Sequence, residues 1–131
     1  MENKIIIFTY GSLREGFHNH FLLGYSKKLG KGLVEKQKMY AIRALHPYPV
    51  SVEEEDSCII GEVYEITDKE IFRSINNMEI NAGYEPKYCE VIMEEGDNLK
   101  AIFYEYEFNV TTLEEVKSGD WEEFMSKKGY C

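Results

Sequence analysis

The chain has 131 residues and a mass of 15.3 kDa, with 44% hydrophobic and 30% charged residues and a mean hydropathy of -0.42, which amounts to one domain, too apolar for disorder and too irregular for a collagen or coiled coil. Fifteen Lys and Arg against twenty-four Asp and Glu leave a formal charge of -9, which repels a phosphate backbone or an anionic leaflet, so neither nucleic acid nor membrane is an expected partner. The lysine clusters Lys27-Lys28, Lys31 and Lys127-Lys128 are short and set among acids, which makes them solvated surface rather than a basic stripe. No run reaches the roughly 18 apolar residues of a membrane span, and Ile5-Ile6-Ile7-Phe8 lacks a cleavage site, so a cytoplasmic protein is expected. Cys58, Cys89 and Cys131 are odd in number and far apart, as suits free thiols, and the first two are expected to be buried small hydrophobes. His18, His20 and His46 stand in no CxxC or HExxH spacing, so no metal site and no cofactor is expected.

In chain order, Lys4 to Thr9 (KIIIFT) is a β-branched run stopped by Gly11, which predicts a strand buried on both faces and then a tight turn. Phe17, Phe21 and Leu22 recur at helical spacing up to Gly24, and the glycines at 24, 30 and 32 are expected in a loop. Leu33 to Ile42 reads as the second strand, His46-Pro47-Tyr48-Pro49-Val50 as extended chain, and Glu53-Glu54-Glu55-Asp56 as an exposed loop. A third strand from Ile59 to Ile66 precedes Thr67-Asp68-Lys69-Glu70, a capping-box pattern with Thr67 placed to accept from the Glu70 amide. Ile71, Phe72, Ile75 and Met78 then mark the inward stripe of a short helix. Tyr88 to Glu94 and Leu99 to Phe108, joined by Glu95-Gly96-Asp97-Asn98, form an expected antiparallel pair. Leu113 to Lys117 is expected as a helical turn, and a final helix presents Trp121, Phe124 and Met125. Five or six strands with three short helices, and no regular βαβ alternation, predict an α+β sheet curling into a barrel.

Two places could carry chemistry. Glu79 stands seven residues after Phe72 and four after Ile75, so a helix extending one residue past Met78 aims it at the same interior. A carboxylate buried there without a cation has a pKa raised toward neutrality, as a general acid/base requires; a helix ending at Met78 leaves it in solvent. The other place is Tyr10-Gly11-Ser12-Leu13, a turn leaving a buried strand, where backbone N–H groups gather and can bind an anion, although a glycine after a strand is often only a turn. Tyr48, Tyr84, Tyr88, Tyr104 and Tyr106 are numerous enough to line a pocket, or to pack as core aromatics.

The order of these pieces resembles the γ-glutamylcyclotransferase-like, or AIG2-like, family. The resemblance rests on YGSLREG (10–16), LLGYSKKLGKGLV (22–34), MYAIRALHPYPVSV (39–52), GEVYEI (61–66), INNME (75–79), KYCEV (87–91) and SGDW (118–121), which together span nearly the whole chain. It implies a small mixed β-barrel flanked by short helices, with the YGSL turn on the floor of a cavity. It also implies a small-molecule γ-glutamyl substrate, cleaved by cyclisation to 5-oxoproline and a free amine. The family's glutamate falls on Glu79 and its substrate-binding turn on Tyr10, Gly11, Ser12 and Leu13, while its later tyrosine falls on Tyr88 with Tyr84 as the alternative. Tyr48 and Tyr104 complete the expected substrate-binding set. Ile80 stands where the family has a glycine after its glutamate.

The expected reaction uses the substrate's own α-amine as nucleophile, so the protein needs to fold the substrate and move protons. Two further readings stand beside it: a non-catalytic small-molecule binding or regulatory domain on the same fold, and a hydrolase pairing Glu79 with Glu85.

Overall fold

A computed structural model of the chain describes residues 4–45 and 47–127. The elements run β1 (Ile5–Thr9), a 3-10 turn (His20–Leu23), β2 (Lys27–Ile42), β3 (Tyr48–Ile66), α1 (Lys69–Asn81), β4 (Tyr84–Met93), β5 (Asn98–Tyr106), β6 (Glu114–Val116) and α2 (Trp121–Lys127). The sheet order is β3-β1-β5-β4-β2-β6, and an additional β2–β3 pairing joins the ends of the first five strands into a closed barrel. Among the strands of the described residues only β1 and β5 pair in parallel, apart from a single parallel bridge between Ile60 and Asp120. The fold is therefore the expected mixed α+β barrel flanked by short helices. Closure removes most of the sheet edge that an open sheet of this size would expose. His46, Lys128 and Cys131, which the sequence reading also named, lie outside the described residues.

The barrel interior holds Ile7 and Phe8 from β1, Val50, Ile59, Val63 and Ile66 from β3, and Val91, Ala101 and Phe103 from the β4–β5 hairpin. Helix α1 closes one side through Ile75, which is fully buried, and α2 packs Trp121 inward with its ring 5.3 Å from that of Phe124. The expected two-sided burial of β1 holds for Ile7, Phe8 and Thr9, while Ile5 and Ile6 are half-buried.

Several local expectations are corrected. Gly30 and Gly32 do not lie in a loop: β2 begins at Lys27 and runs through both. Gly30 (φ 137°) sits at a bulge, and a Cβ on Gly32 would come within 2.5 Å of Val91 Cγ1, where β2 crosses β4. The acidic run is exposed as expected, yet it belongs to the 19-residue β3. The register steps from Glu35↔Cys58 to Gln37↔Glu53, so residues 54–57 bulge opposite Lys36 alone. Lys36 takes a left-handed φ of 63°, and the extra residue switches the inward set from Gly32 and Val34 to Gln37, Met39 and Ala41. Cys58, beside this bulge, is exposed rather than buried. Cys89 is half-buried, and burial pushes its thiol up to about 12, far from a reactive thiolate.

The cap of α1 is Asp68, one residue later than the sequence pattern indicates. Its Oδ1 accepts from the Glu70 amide at 2.8 Å, and Glu70 pairs with Arg73 instead of reaching back. The residues around 114–116 form a strand rather than a helical turn, because pairing with Met39 to Ala41 on β2 buries Val116. The predicted first helix is reduced to the 3-10 turn ending at Gly24 (φ 56°).

Gly61 marks a close approach of β1 and β3: a Cβ there would collide with the Thr9 carbonyl oxygen and the Phe8 ring. Gly61→Ala is expected to cost at least about 1–3 kcal/mol, the usual range for overpacking, because a backbone atom has to move. A lowered urea midpoint at an unchanged slope is the readout, and an unchanged midpoint would refute the contact.

Candidate active site

Helix α1 continues through Asn81 and is followed by Gly83 (φ 97°), so the chain's departure at Ile80 postpones the helix exit rather than displacing Glu79. Glu79 therefore stands in the last turn, on the side of Ile75, and faces a cavity of about 210 Å³. The end of β1 and the following turn form one wall through Tyr10, Gly11 and Ser12. The start of β3 supplies Tyr48 and Pro49, α1 supplies Met78 and Ala82, and the β4–β5 hairpin supplies Tyr84 and Tyr104.

Among the described residues Glu79 is the only acid on this wall, and no Lys or Arg lines it. Among the described residues no cation lies within ion-pair distance of its carboxylate. Burial alone raises its pKa from 4.5 to about 7. The surrounding phenols are occupied with one another's walls. Tyr10 donates to the Tyr104 carbonyl at 2.6 Å, Tyr84 to the Pro49 carbonyl at 2.7 Å, and Tyr104 to Asn76 Oδ1 at 2.9 Å. Burial, with smaller contributions from neighbouring charge that include Glu79, raises all three phenol pKa values, so these tyrosines stay neutral and hold the cavity's shape.

The turn after β1 is closed by the Arg14 amide donating to the Gly11 carbonyl at 2.9 Å, which leaves the amides of Ser12 and Leu13 outside the turn's own hydrogen bond. Gly11 is required by proximity rather than by φ, since a Cβ would lie 2.5 Å from Pro49 Cγ. Asn19 ties the next loop to this turn: its amide donates to the Ser12 carbonyl at 3.0 Å and its side chain to Ser12 Oγ at 2.9 Å.

Beneath the turn lies a charged group that sequence reading missed. Arg14 is fully buried, with Nε 3.2 Å from Glu62 Oε2 and an Nη 2.9 Å from Asp120 Oδ1. Glu62 Oε1 also accepts from the Glu15 amide and the Tyr64 hydroxyl, both at 2.9 Å. Burial opposes the charge on both Arg14 and Glu62, but these hydrogen bonds and their mutual attraction outweigh it, raising the Arg14 pKa and lowering that of Glu62. The three residues come from the stretches YGSLREG, GEVYEI and SGDW, up to 106 positions apart, and no local pattern links them.

Of the residues singled out from the sequence, Glu79, Tyr10, Gly11, Ser12, Tyr48 and Tyr104 line one cavity. Leu13 does not: its side chain is core, and its carbonyl faces His20 Nδ1 at 2.9 Å. Tyr88 is also outside the cavity. It lies on the outer face of β4, 71% exposed, with Lys100 Nζ 4.8 Å from its ring centroid, and Tyr84 takes the cavity wall instead. Both lie on the face of β4 opposite Val91 and Met93, and the start of β3 covers that face at Tyr84, whose hydroxyl reaches the Pro49 carbonyl, but not at Tyr88. Glu85 is exposed, with Lys87 and Glu105 as its neighbours, so it forms no carboxylate pair with Glu79 across the cavity. His18, Asn19, Met78 and Ala82 were not anticipated; the two loop residues come into place through the Asn19–Ser12 bonds.

The sequence profile of the family described as "Gamma-glutamyl cyclotransferase, AIG2-like" matches residues 7–123. A protein of Methanocaldococcus jannaschii named "Putative gamma-glutamylcyclotransferase" is 39% identical over 121 residues, covering 90% of this chain and 96% of that one. The crystal structure of an uncharacterised protein from Pyrococcus horikoshii superposes with a TM-score of 0.76 at 32% identity, over 96% of this chain and 97% of that one. A mouse AIG2-like protein shares the fold at a TM-score of 0.70 and 22% identity, over 88% of this chain and 87% of that one. With the profile covering most of its length, the chain belongs to the AIG2-like γ-glutamylcyclotransferase family.

Proposed function

We propose that the protein is a γ-glutamylcyclotransferase that cleaves a γ-glutamyl amide by intramolecular attack, with Glu79 as general acid/base. The observation that carries this reading is a carboxyl whose pKa burial raises to about 7, on the wall of a cavity that the turn at Gly11 and Ser12 also lines. A group with that pKa exchanges protons readily in both directions at neutral pH.

The substrate brings its own nucleophile, so the barrier falls through orientation and proton handling. Glu79 takes a proton from the α-ammonium, and the amine attacks the γ-carbonyl carbon. The new C–N bond closes the five-membered ring, and the bond to the departing nitrogen breaks. Two protons leave the α-ammonium and two arrive on the departing nitrogen, so the carboxyl ends in its starting state and no water is consumed. In this reading the Ser12 and Leu13 amides bind the substrate's α-carboxylate or the developing oxyanion. Tyr10, Tyr84 and Tyr104 keep the cavity dry and Glu79 desolvated.

The test is incubation of the purified protein with a panel of γ-glutamyl amides in ¹⁸O-water. Unlabelled 5-oxoproline with one equivalent of amine is expected. Labelled glutamate would mean hydrolysis, and no release from any amide would refute the activity. Because the base form of Glu79 starts the reaction, log kcat/KM is expected to fall with unit slope below about pH 7. A profile flat down to pH 5 would assign the base elsewhere.

A further inference from the structure

Strand β4 keeps β5 beside it from Tyr84 to Ile92 but loses its neighbour on the other side. Its ladder with β2 consists of Gly32↔Met93 and Leu33↔Ile92, after which Lys36 (φ 63°) and the bulge turn β2 aside toward β3 and β6. A groove of about 510 Å³ opens there, with Lys36 and Gln37 on one bank and Tyr88 and Glu90 on the other.

Hydrogen-bond parity fixes which backbone groups face the groove. The Met93 amide donates to the Asp97 carbonyl at 2.8 Å and the Glu107 amide to the Gly83 carbonyl at 3.2 Å, so the odd-numbered residues of β4 bond to β5. The even-numbered residues face the other way, as the Glu94 amide does in donating to the Lys31 carbonyl at 3.0 Å. Tyr88 and Glu90 therefore direct their N–H and C=O groups into the groove, where no strand of the described residues pairs with them. Pro86 shares that parity, and a sheet tolerates proline where the missing N–H would point off an edge. Such an edge is a template for a further strand.

The segment is complementary to itself. Two copies of β4 set antiparallel about a two-fold axis at Cys89 bring Tyr88 opposite the second copy's Glu90, and Glu90 opposite the second copy's Tyr88. Each of these pairs exchanges two N–H···O=C bonds, which satisfies the open groups of both copies. The side chains agree with the register. Tyr88, 71% exposed, comes diagonal to its own counterpart and to the second copy's Ile92, within reach of an aromatic ring. Lys100 Nζ lies 4.8 Å from the centroid of the Tyr88 ring, beside which the second copy's Glu90 arrives, and Asn98 Nδ2 holds one oxygen of Glu90 at 2.6 Å, leaving the other for that lysine. The two-fold axis repeats this attraction of opposite charges.

We propose that this edge of β4 docks a second copy of the chain, β4 against β4, through the backbone of Tyr88 and Glu90. The pairing does not rest on the cyclotransferase reading, since neither residue lines the Glu79 cavity. A contact of this size is a weak one.

Sedimentation velocity at about 0.5 M salt, which screens the repulsion between two chains of charge -9, is expected to show the protein passing from monomer to dimer between about 1 µM and about 1 mM. Over the same range, hydrogen exchange at the Tyr88 and Glu90 amides is expected to slow about tenfold, while the Lys87 and Cys89 amides, already bonded to β5, change little. Tyr88→Asp sets a like charge opposite the second copy's Glu90, and Glu90→Pro removes an N–H that β5 does not use; each is expected to hold the chain monomeric. Because the Tyr88 side chain is exposed, Tyr88→Asp keeps the fold even where Glu90→Pro does not. A protein that stays monomeric throughout, a dimer whose Tyr88 and Glu90 amides exchange as fast as in the monomer, or a dimer that survives Tyr88→Asp would overturn the proposal.

Discussion

Glu79→Gln is expected to lower turnover by about 10² to 10⁴ while making the protein more stable at pH 8. The first effect follows from replacing the carboxyl that lines the cavity, among the described residues the only one there, with a neutral side chain of nearly the same shape. The second follows from linkage. The folded-state pKa of Glu79 is raised from 4.5 to about 7, so between these values the folded protein holds a proton that the unfolded chain releases. Stability therefore falls as pH rises through that window, by about 3 kcal/mol in total, and the full penalty is present above about pH 7. Glutamine carries no such penalty, so parent and variant should be equally stable below about pH 4.5 and should diverge by about 2–3 kcal/mol at pH 8. Urea unfolding at the two pH values measures it. Equal stability at pH 8 would mean that the carboxyl is solvated, and parental 5-oxoproline release by the variant would remove Glu79 from the mechanism.

Arg14→Ala is expected to cost about 3–5 kcal/mol, because it leaves Glu62 buried without its cation. Lys28 Nζ, 4.0 Å from Glu62 and a third exposed, is too distant and too hydrated to replace the guanidinium. Adding Glu62→Gln to Arg14→Ala should recover part of the loss, since a neutral amide no longer needs the charge. Denaturant midpoints of the single and double variants give the coupling. A cost below about 1 kcal/mol for Arg14→Ala would show that solvent reaches the carboxylate.

These two residues mark what was legible in the sequence. Glu79 could be found because helical periodicity is local: Phe72 and Ile75 fix the face, and the carboxylate breaks the pattern. Its extension past Met78 depended on Gly83 receiving the helix end, three residues after the expected glycine position. Arg14 carries no local mark of its role, since its partners at 62 and 120 meet it only through barrel closure. Long-range pairing likewise explains the errors in secondary structure. Residues 114–116 carry no strong strand signal and are extended because β2 offers them an edge. Tyr84 and Tyr88 could not be ranked from sequence, because four residues apart they share one face of β4 and only the start of β3, packed over Tyr84, tells them apart.

The bond between Arg14 and Asp120 also dictates an order of events during synthesis. It joins residues 106 positions apart, so a chain emerging from the ribosome contains all five barrel strands before the second acceptor for the guanidinium exists. Until the segment around Asp120 arrives, Arg14 has only part of its coordination and the turn beside the cavity lacks its last fastening. The turn therefore gains its last fastening only after residue 120 has been made, and such non-local closure is the contact pattern that slows folding. In a nascent chain halted before residue 120, the barrel strands would precede a formed site.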